Sequence, residues 1–261
     1  MGNSETKLLS VPAVGKVECN QDFIQTAVCE LRIPTVLELD TISPNKFAKA
    51  IKRDYPVYTR GQNIALNIGS GPAAQGISHT FTDRKKRWVV TFKSSALTLE
   101  TARYQGFDNF HERMLRIIDA SKEERDSDFF VRVGLRYIDF LPVDQDGLED
   151  WVNRDLVIPL LDGTYGAVKE FWQTVRGETT SGGYTLRHGL RDTAPPQPGG
   201  QSGKMNYILD MDFYKEDVEE CDVGDLLKSL HDETFRLFAW AIGDKARDHM
   251  GWKETGEGDD D

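Results

Sequence analysis

The sequence predicts an α+β fold made of two pseudo-repeated units, each ordered strand–helix–strands–helix, with antiparallel sheets and helices packed on one side. Three observations predict it. Short segments with two-residue hydrophobic alternation recur on both sides of position 125. Each series closes on a long segment of helical period: Phe107, Phe110, Met114, Ile117 and Ile118 in the first, Leu227, Leu230, Thr234, Leu237, Phe238, Ala241 and Ile242 in the second. A five-residue pattern, Arg-x-Gly-Leu-Arg, is written twice, as RVGLR at 132–136 and RHGLR at 187–191, both times within a strand-like run.

The elements follow in order. Residues 1–20 are polar and aperiodic and read as a flexible leader. AVCELRI (27–33) reads as a strand that TVLELDTI (35–42) extends past Pro34. Ser43 and Pro44 open a helix as its cap and first residue, with Phe47, Ala50 and Ile51 on the apolar stripe. Strands are expected at 62–68, 77–83, 87–93 and 96–102, the middle two as a hairpin around Arg84-Lys85-Lys86. A helix at 107–120 completes the first unit. In the second, FFVRVGLRYIDFLP (129–142) is a strand, 156–175 is mostly helical with breaks at Pro159, Gly163 and Gly166, and strands follow at 183–193 and 205–214. APPQPGGQSG (194–203) between them has loop composition, and one long helix spans 225–250. The expected division is a leader at 1–20, α+β units at 21–125 and 126–252, and an acidic tail at 253–261.

Composition narrows the function. The chain has 261 residues and a formal net charge of −11. Residues 1–120 carry 16 Lys and Arg against 12 Asp and Glu, whereas 121–261 carry 16 against 31. The acidic half repels phosphate backbones and suits a basic protein partner, which argues against nucleic acid for the whole molecule. No apolar run approaches the ~18 residues of a membrane span, and no secretory leader pattern is present. Cys19, Cys29 and Cys221 lack metal-site spacing and suit a reducing cytoplasm. The opening Met1-Gly2-Asn3-Ser4-Glu5-Thr6 matches a myristoylation pattern without the basic patch that would make it an anchor, so an ordinary leader is expected.

The repeated pentapeptide is the main candidate site. On a strand, Arg132, Gly134 and Arg136 share a face, as do Arg187, Gly189 and Arg191. Val131, Val133, Leu135 and Tyr137 take the opposite, core-facing side, as do Leu186, His188 and Leu190 in the second copy. Two guanidiniums astride a glycine leave a slot for a planar anion or for a partner's carboxylate. The competing expectation is internal pairing with Asp139, Asp192, Asp210 or Asp212, with the glycines marking bulges. Asp210 and Asp212 share a strand face as paired carboxylates would, and His188 is a further secondary candidate.

Other motifs carry less. HExxH and GxSxG are absent, and the His111-Glu112 and His231-Asp232-Glu233 runs read as helix surface. IGSGPAAQG (68–76) lacks the helix a nucleotide loop needs. Arg84–Arg87 beside Trp88 is a basic hairpin tip, and Phe171, Trp172 and Trp240 are expected in cores or interfaces.

The segments RWVVTFKSSALTLETARYQGFDNFHERM, RVGLRYIDFL, and YILDMDFY with the following LHDETFRLF resemble a sporadically distributed prokaryotic family of uncharacterised proteins over residues 25–250. The order of elements also resembles the tandem helix-grip layout of TATA-box-binding proteins. The resemblance implies a prokaryotic cytoplasmic protein and brings no activity, cofactor or catalytic residue. The expectation is therefore a binding protein that works through protein–protein contact, as regulatory partner of a neighbouring gene product, with no cofactor, no metal and homo-oligomerisation open. The alternatives are a nucleotide- or anion-binding enzyme or sensor that uses the arginine strands for an anionic small molecule, and nucleic-acid binding by the first half.

Overall fold

A computed structural model describes residues 7–64, 75–143, 147–192 and 205–255. The strands are β1 (Lys16–Glu18), β2 (Ile24–Arg32), β3 (Val57–Ile64), β4 (Gln75–Thr82), β5 (Trp88–Lys93), β6 (Ala96–Thr101), β7 (Phe129–Pro142), β8 (Glu170–Glu178), β9 (Gly183–Asp192), β10 (Met205–Glu219) and β11 (Lys253–Thr255). The helices are α1 (Asn45–Ile51), α2 (Phe107–Ser121), α3 (Leu148–Trp151), α4 (Arg154–Leu161), α5 (Val223–Ala241) and α6 (Asp244–Met250). The fold is α+β, with antiparallel sheet and helices packed on it.

The chain divides into two compact units that are interleaved in sequence. A terminal unit comprises Met1–Gln25, Tyr137–Phe213 and Asp232–Asp261, and a middle unit comprises Thr26–Arg136 and Tyr214–His231. The expected boundary at 125/126 thus falls inside the middle unit, and β7, β10 and α5 each contribute residues to both units.

In the middle unit the strands run in the order β3-β4-β5-β6-β2-β7. Cross-strand registers build two rows: Tyr58, Phe81, Val90, Leu99 and Cys29, and Arg60, His79, Phe92, Leu97 and Leu31. From Phe81 and His79 inward these side chains are buried. Phe47 of α1 meets Phe81 and Phe92 edge-on, and Phe110 of α2 lies against Trp88. Two-residue alternation on the strands and a 3.6-residue stripe on α2 thus meet in one apolar layer. Burying each such large side chain contributes about 1.5–3 kcal/mol.

In the terminal unit, β9 pairs with β8 along an unbroken register from Glu170↔Arg191 to Glu178↔Gly183. The Val143 N–H donates to the Met205 carbonyl at 3.2 Å, where β7 leaves β10. The expected leader and tail are tied together, with Lys16↔Thr255 and Glu18↔Lys253 in register, and the Asn20 N–H donates to the Met250 carbonyl.

Several expectations are corrected. Residues 37–40 form a 3-10 turn instead of a strand extension, consistent with the restriction Pro34 places on the chain nearby. Ser43 does not cap α1; Pro44 holds the cap position, and the Ser43 hydroxyl is spent on Tyr58. The helix expected over 156–175 ends at Leu161, and Glu170 onward is β8, because β-branched and aromatic residues gain a ladder partner in β9. The long helix expected over 225–250 splits at Gly243, where the Gly243 N–H donates to the Trp151 carbonyl and a Cβ would overlap the Asp150 carbonyl. Val131 is 46% exposed, not core-facing. The segments 68–74 and 194–203 lie outside the described residues.

Asp139 is a buried acid in the terminal unit. It is 2% exposed, and burial, with repulsion from Asp22, holds its carboxyl well above the usual carboxylate range. A carboxyl whose folded-state pKa is raised binds more protons folded than unfolded, so its contribution to stability falls as pH rises above about 4. Asp139→Asn should therefore raise the urea midpoint at pH 7.5. The gain should shrink as the pH approaches 4. A variant no more stable than the parent at pH 7.5 would contradict this account.

Candidate functional site

The four arginines of the repeated pentapeptide fall into different units. Arg132 and Arg136 belong to the middle unit, Arg187 and Arg191 to the terminal unit. Arg132 is 8% exposed, and its guanidinium lies 4.4 Å from the centre of the Tyr214 ring and 3.8 Å from Glu30. It also lies directly over Gly134: a Cβ there would collide with the guanidinium. The slot that the glycine opens is filled by the chain's own arginine. Arg136 is half-buried and has partners of its own.

In the second copy the glycine serves a different purpose. A Cβ on Gly189 would collide with the Phe171 carbonyl on β8, so the residue allows a close backbone approach within the β8–β9 pair. Arg187 reaches the buried Asp210 at 3.5 Å, which realises internal pairing for this residue. Arg191 is exposed at the end of β9, opposite Glu170 in register. Asp212 is half-buried and also partnered. RxGLR thus recurs because a strand twice needed a residue without Cβ, once for a guanidinium and once for a carbonyl.

His188 is 1% exposed and faces the core with Leu186 and Leu190 as expected. Its Nδ1 lies 2.6 Å from the Tyr207 hydroxyl, which also reaches the Leu156 carbonyl at 3.5 Å. Burial pulls the imidazole down to about 4 and pushes the Tyr207 phenol up. Both groups are neutral and sealed at pH 7, a structural pair without access to a substrate.

The middle unit holds a second His–Tyr pair that sequence reading passed over. His79 is fully buried, and its Nε2 is 2.8 Å from the Leu39 carbonyl. A carbonyl only accepts, so Nε2 carries the proton and Nδ1 offers its lone pair. Tyr58, 2.9 Å away, donates to Nδ1, and its oxygen accepts from the Ser43 hydroxyl at 3.2 Å. Unlike Tyr207, Tyr58 is 43% exposed and borders a cavity of about 410 Å³. The available signal was position: His79 stands between Ile77 and Phe81 on an alternating strand, which puts an imidazole on a core face.

The expected helix-surface reading of His231-Asp232-Glu233 also changes. Glu233 is 4% exposed and accepts from the Thr179 and Thr180 hydroxyls at 2.6 and 2.7 Å and from the Ser181 N–H at 3.3 Å. It pins the β8–β9 turn to α5. His231 stacks on Phe107 at 4.1 Å, and the His111 Nε2–H donates to the Gly224 carbonyl at 2.9 Å. At the basic hairpin tip, Trp88 is 2% exposed beneath Arg113, so Arg84, Lys85 and Lys86 project cations without an aromatic stacking surface. Among the described residues no three His, Cys, Asp or Glu side chains converge as metal ligands.

Two outcomes follow from this geometry. Gly189→Ala forces a side chain onto backbone and should cost about 2–3 kcal/mol, whereas Gly134→Ala displaces only a flexible arginine and should cost about 1 kcal/mol. In an Arg132→Ala background the second penalty should vanish, which a denaturation double-mutant cycle reads directly. For His188, the unfolded chain protonates near 6.5 while the folded one resists to about 4. Stability then falls as pH drops from about 6.5 to about 4. His188→Gln should lose that dependence, so its stability relative to the parent should improve on acidification; a constant difference across the window would refute the assignment.

No family model matches the chain, and no curated protein is similar to it at a significant level.

Proposed function

We propose that the protein is a non-catalytic binding protein that captures an extended segment of a partner chain along β8, the outer strand of the terminal unit. Among the described residues β8 is last in the strand order and has one partner strand, β9. The Leu9 N–H donates to the Glu178 carbonyl at 2.8 Å, so the Glu178 backbone faces away from β9. In an antiparallel strand both polar groups of a residue face the same way, and alternate residues share a direction. Trp172, Thr174 and Arg176 therefore also turn their N–H and C=O outward. Among the described residues the backbone hydrogen bond from Leu9 is the one that occupies part of this edge.

The observation that carries the reading is the lack of edge protection. Exposed edges are ordinarily blunted by proline, a bulge, a lysine or a short length. β8 runs nine residues, EFWQTVRGE, without proline, lysine or register break, and exposes Trp172 and Val175. Such an edge accepts an added strand through main-chain hydrogen bonds, with side-chain contacts setting preference. Trp172 is held ready for contact by its indole N–H, which donates to Glu170 at 2.8 Å. The acidic half of the chain favours a partner segment with basic residues. The buried Arg132 and the paired Arg187 support this reading over an anion clamp built from the arginine strands.

A photo-crosslinking amino acid in place of Trp172, introduced in the native cell, tests the proposal. A discrete adduct is expected. Thr174→Pro, which removes an outward N–H, should abolish it, while Thr174→Ala should keep it and both should melt within a few degrees of the parent. Equal crosslinking in the two variants would sink the reading. An adduct containing only a second copy of this chain would replace a foreign partner with self-association.

A further inference from the structure

We propose that the cavity between α1 and the start of β3 binds a small planar ring compound that carries a phosphate or carboxylate group and a ring hydroxyl or amine. The site lies wholly in the middle unit and is independent of the edge-strand reading. Its volume of about 410 Å³ falls in the range of small-molecule sites.

Three features define the ligand. The first is a stacking surface. Tyr58 is 43% exposed yet immobilised: its hydroxyl is fixed by His79 and its ring rests on Phe81 at 5.1 Å. Pro44 and Pro56 add rigid apolar walls. An aromatic face that is exposed and already ordered costs little entropy when a second ring stacks on it.

The second is charge. Lys49 and Lys52 line the cavity three residues apart. Among the described residues neither has a carboxylate within ion-pair distance, whereas Lys46, on the same helix, pairs with Glu123 at 2.8 Å. Both ammonium groups stand beside the aromatic and proline walls of the same cavity, where an anionic group on a stacked ring would meet them. Like charges at this spacing repel, and an anion between them relieves the repulsion.

The third is polarity of the hydrogen bonds. The Leu39 carbonyl orders the whole chain of groups. His79 must donate from Nε2 and accept at Nδ1, Tyr58 must donate to His79, and the Tyr58 oxygen is left as an acceptor, satisfied by Ser43. Ser43 and Tyr58, the two partners of this bond, both line the cavity. A hydroxyl or N–H on the ligand ring can take the place of the Ser43 proton, and a ring without such a donor leaves the Ser43–Tyr58 bond as it is.

Amide chemical-shift titration of the full-length chain in 150 mM salt, with four probes, tests the site: 4-hydroxyphenyl phosphate, phenyl phosphate, hydroquinone and inorganic phosphate. The expected order is 4-hydroxyphenyl phosphate tightest, phenyl phosphate several-fold weaker, and the other two weaker by tenfold or more, with shifts centred on residues 43–58. Lys49→Glu with Lys52→Glu should weaken 4-hydroxyphenyl phosphate at least tenfold. Ser43→Ala, which leaves the His79–Tyr58 bond in place, should preserve binding of phenyl phosphate. Inorganic phosphate binding as tightly as phenyl phosphate would overturn the proposal, as would binding unaffected by the double charge reversal, or no shift at residues 43–58 with any probe at millimolar concentration.

Discussion

The Arg132 guanidinium is held on three sides: beneath it the backbone of Gly134, across it the Tyr214 ring, and beside it Glu30. A charged side chain 8% exposed persists only because each of those surfaces is supplied within its own unit. The same demand recurs wherever this fold removes a polar group from water. Arg125 is stacked on Phe130 and paired with Glu220, Glu233 takes two hydroxyls and an amide, and His79 and His188 each meet a tyrosine. Internal satisfaction of buried polar groups is the constraint that decides which side chains remain for recognition.

That constraint separates the two His–Tyr pairs. Both join Nδ1 to a phenol across neighbouring strands. In the terminal unit the phenol is fully buried and the pair only contributes to packing. In the middle unit the phenol stands at the rim of a cavity, and the hydrogen-bond direction set by Leu39 leaves its oxygen accepting from the exposed Ser43 hydroxyl. Exposure of one ring, with no change in chemistry, turns a core element into a candidate recognition element.

The edge of β8 follows from a related economy. Among the described residues β8, like β3 at the other end of the strand order, has a single neighbouring strand, and its nine residues are mostly exposed. Glu233 holds the turn that delivers β8, so the edge is presented by a fixed hairpin instead of a loose loop. A preformed strand edge limits the entropy lost when a peptide docks on it.

Periodicity made much of the fold legible. β7 and α2 lie where alternation and helical spacing put them, and every residue named as the buried stripe of the last helix is buried. Val133, Leu135 and Tyr137 are buried as alternation requires, whereas Val131 is exposed and Arg132 buried. Hidden from the sequence were features that depend on residues distant in the chain. Gly134 and Gly189 look identical in RxGLR, but one accommodates Arg132 and the other a carbonyl on β8, and only the neighbouring strand distinguishes them. The pairing of Ser43 with Tyr58 and of Tyr58 with His79 joins positions 15 and 21 residues apart through a sheet register that local pattern does not specify. The sequence by itself determined which faces would be apolar, because that depends on side-chain spacing along one element. Tertiary structure alone decided which polar groups would be consumed by partners and which left open, because hydrogen bonds and ion pairs depend on distances that only the assembled sheet defines.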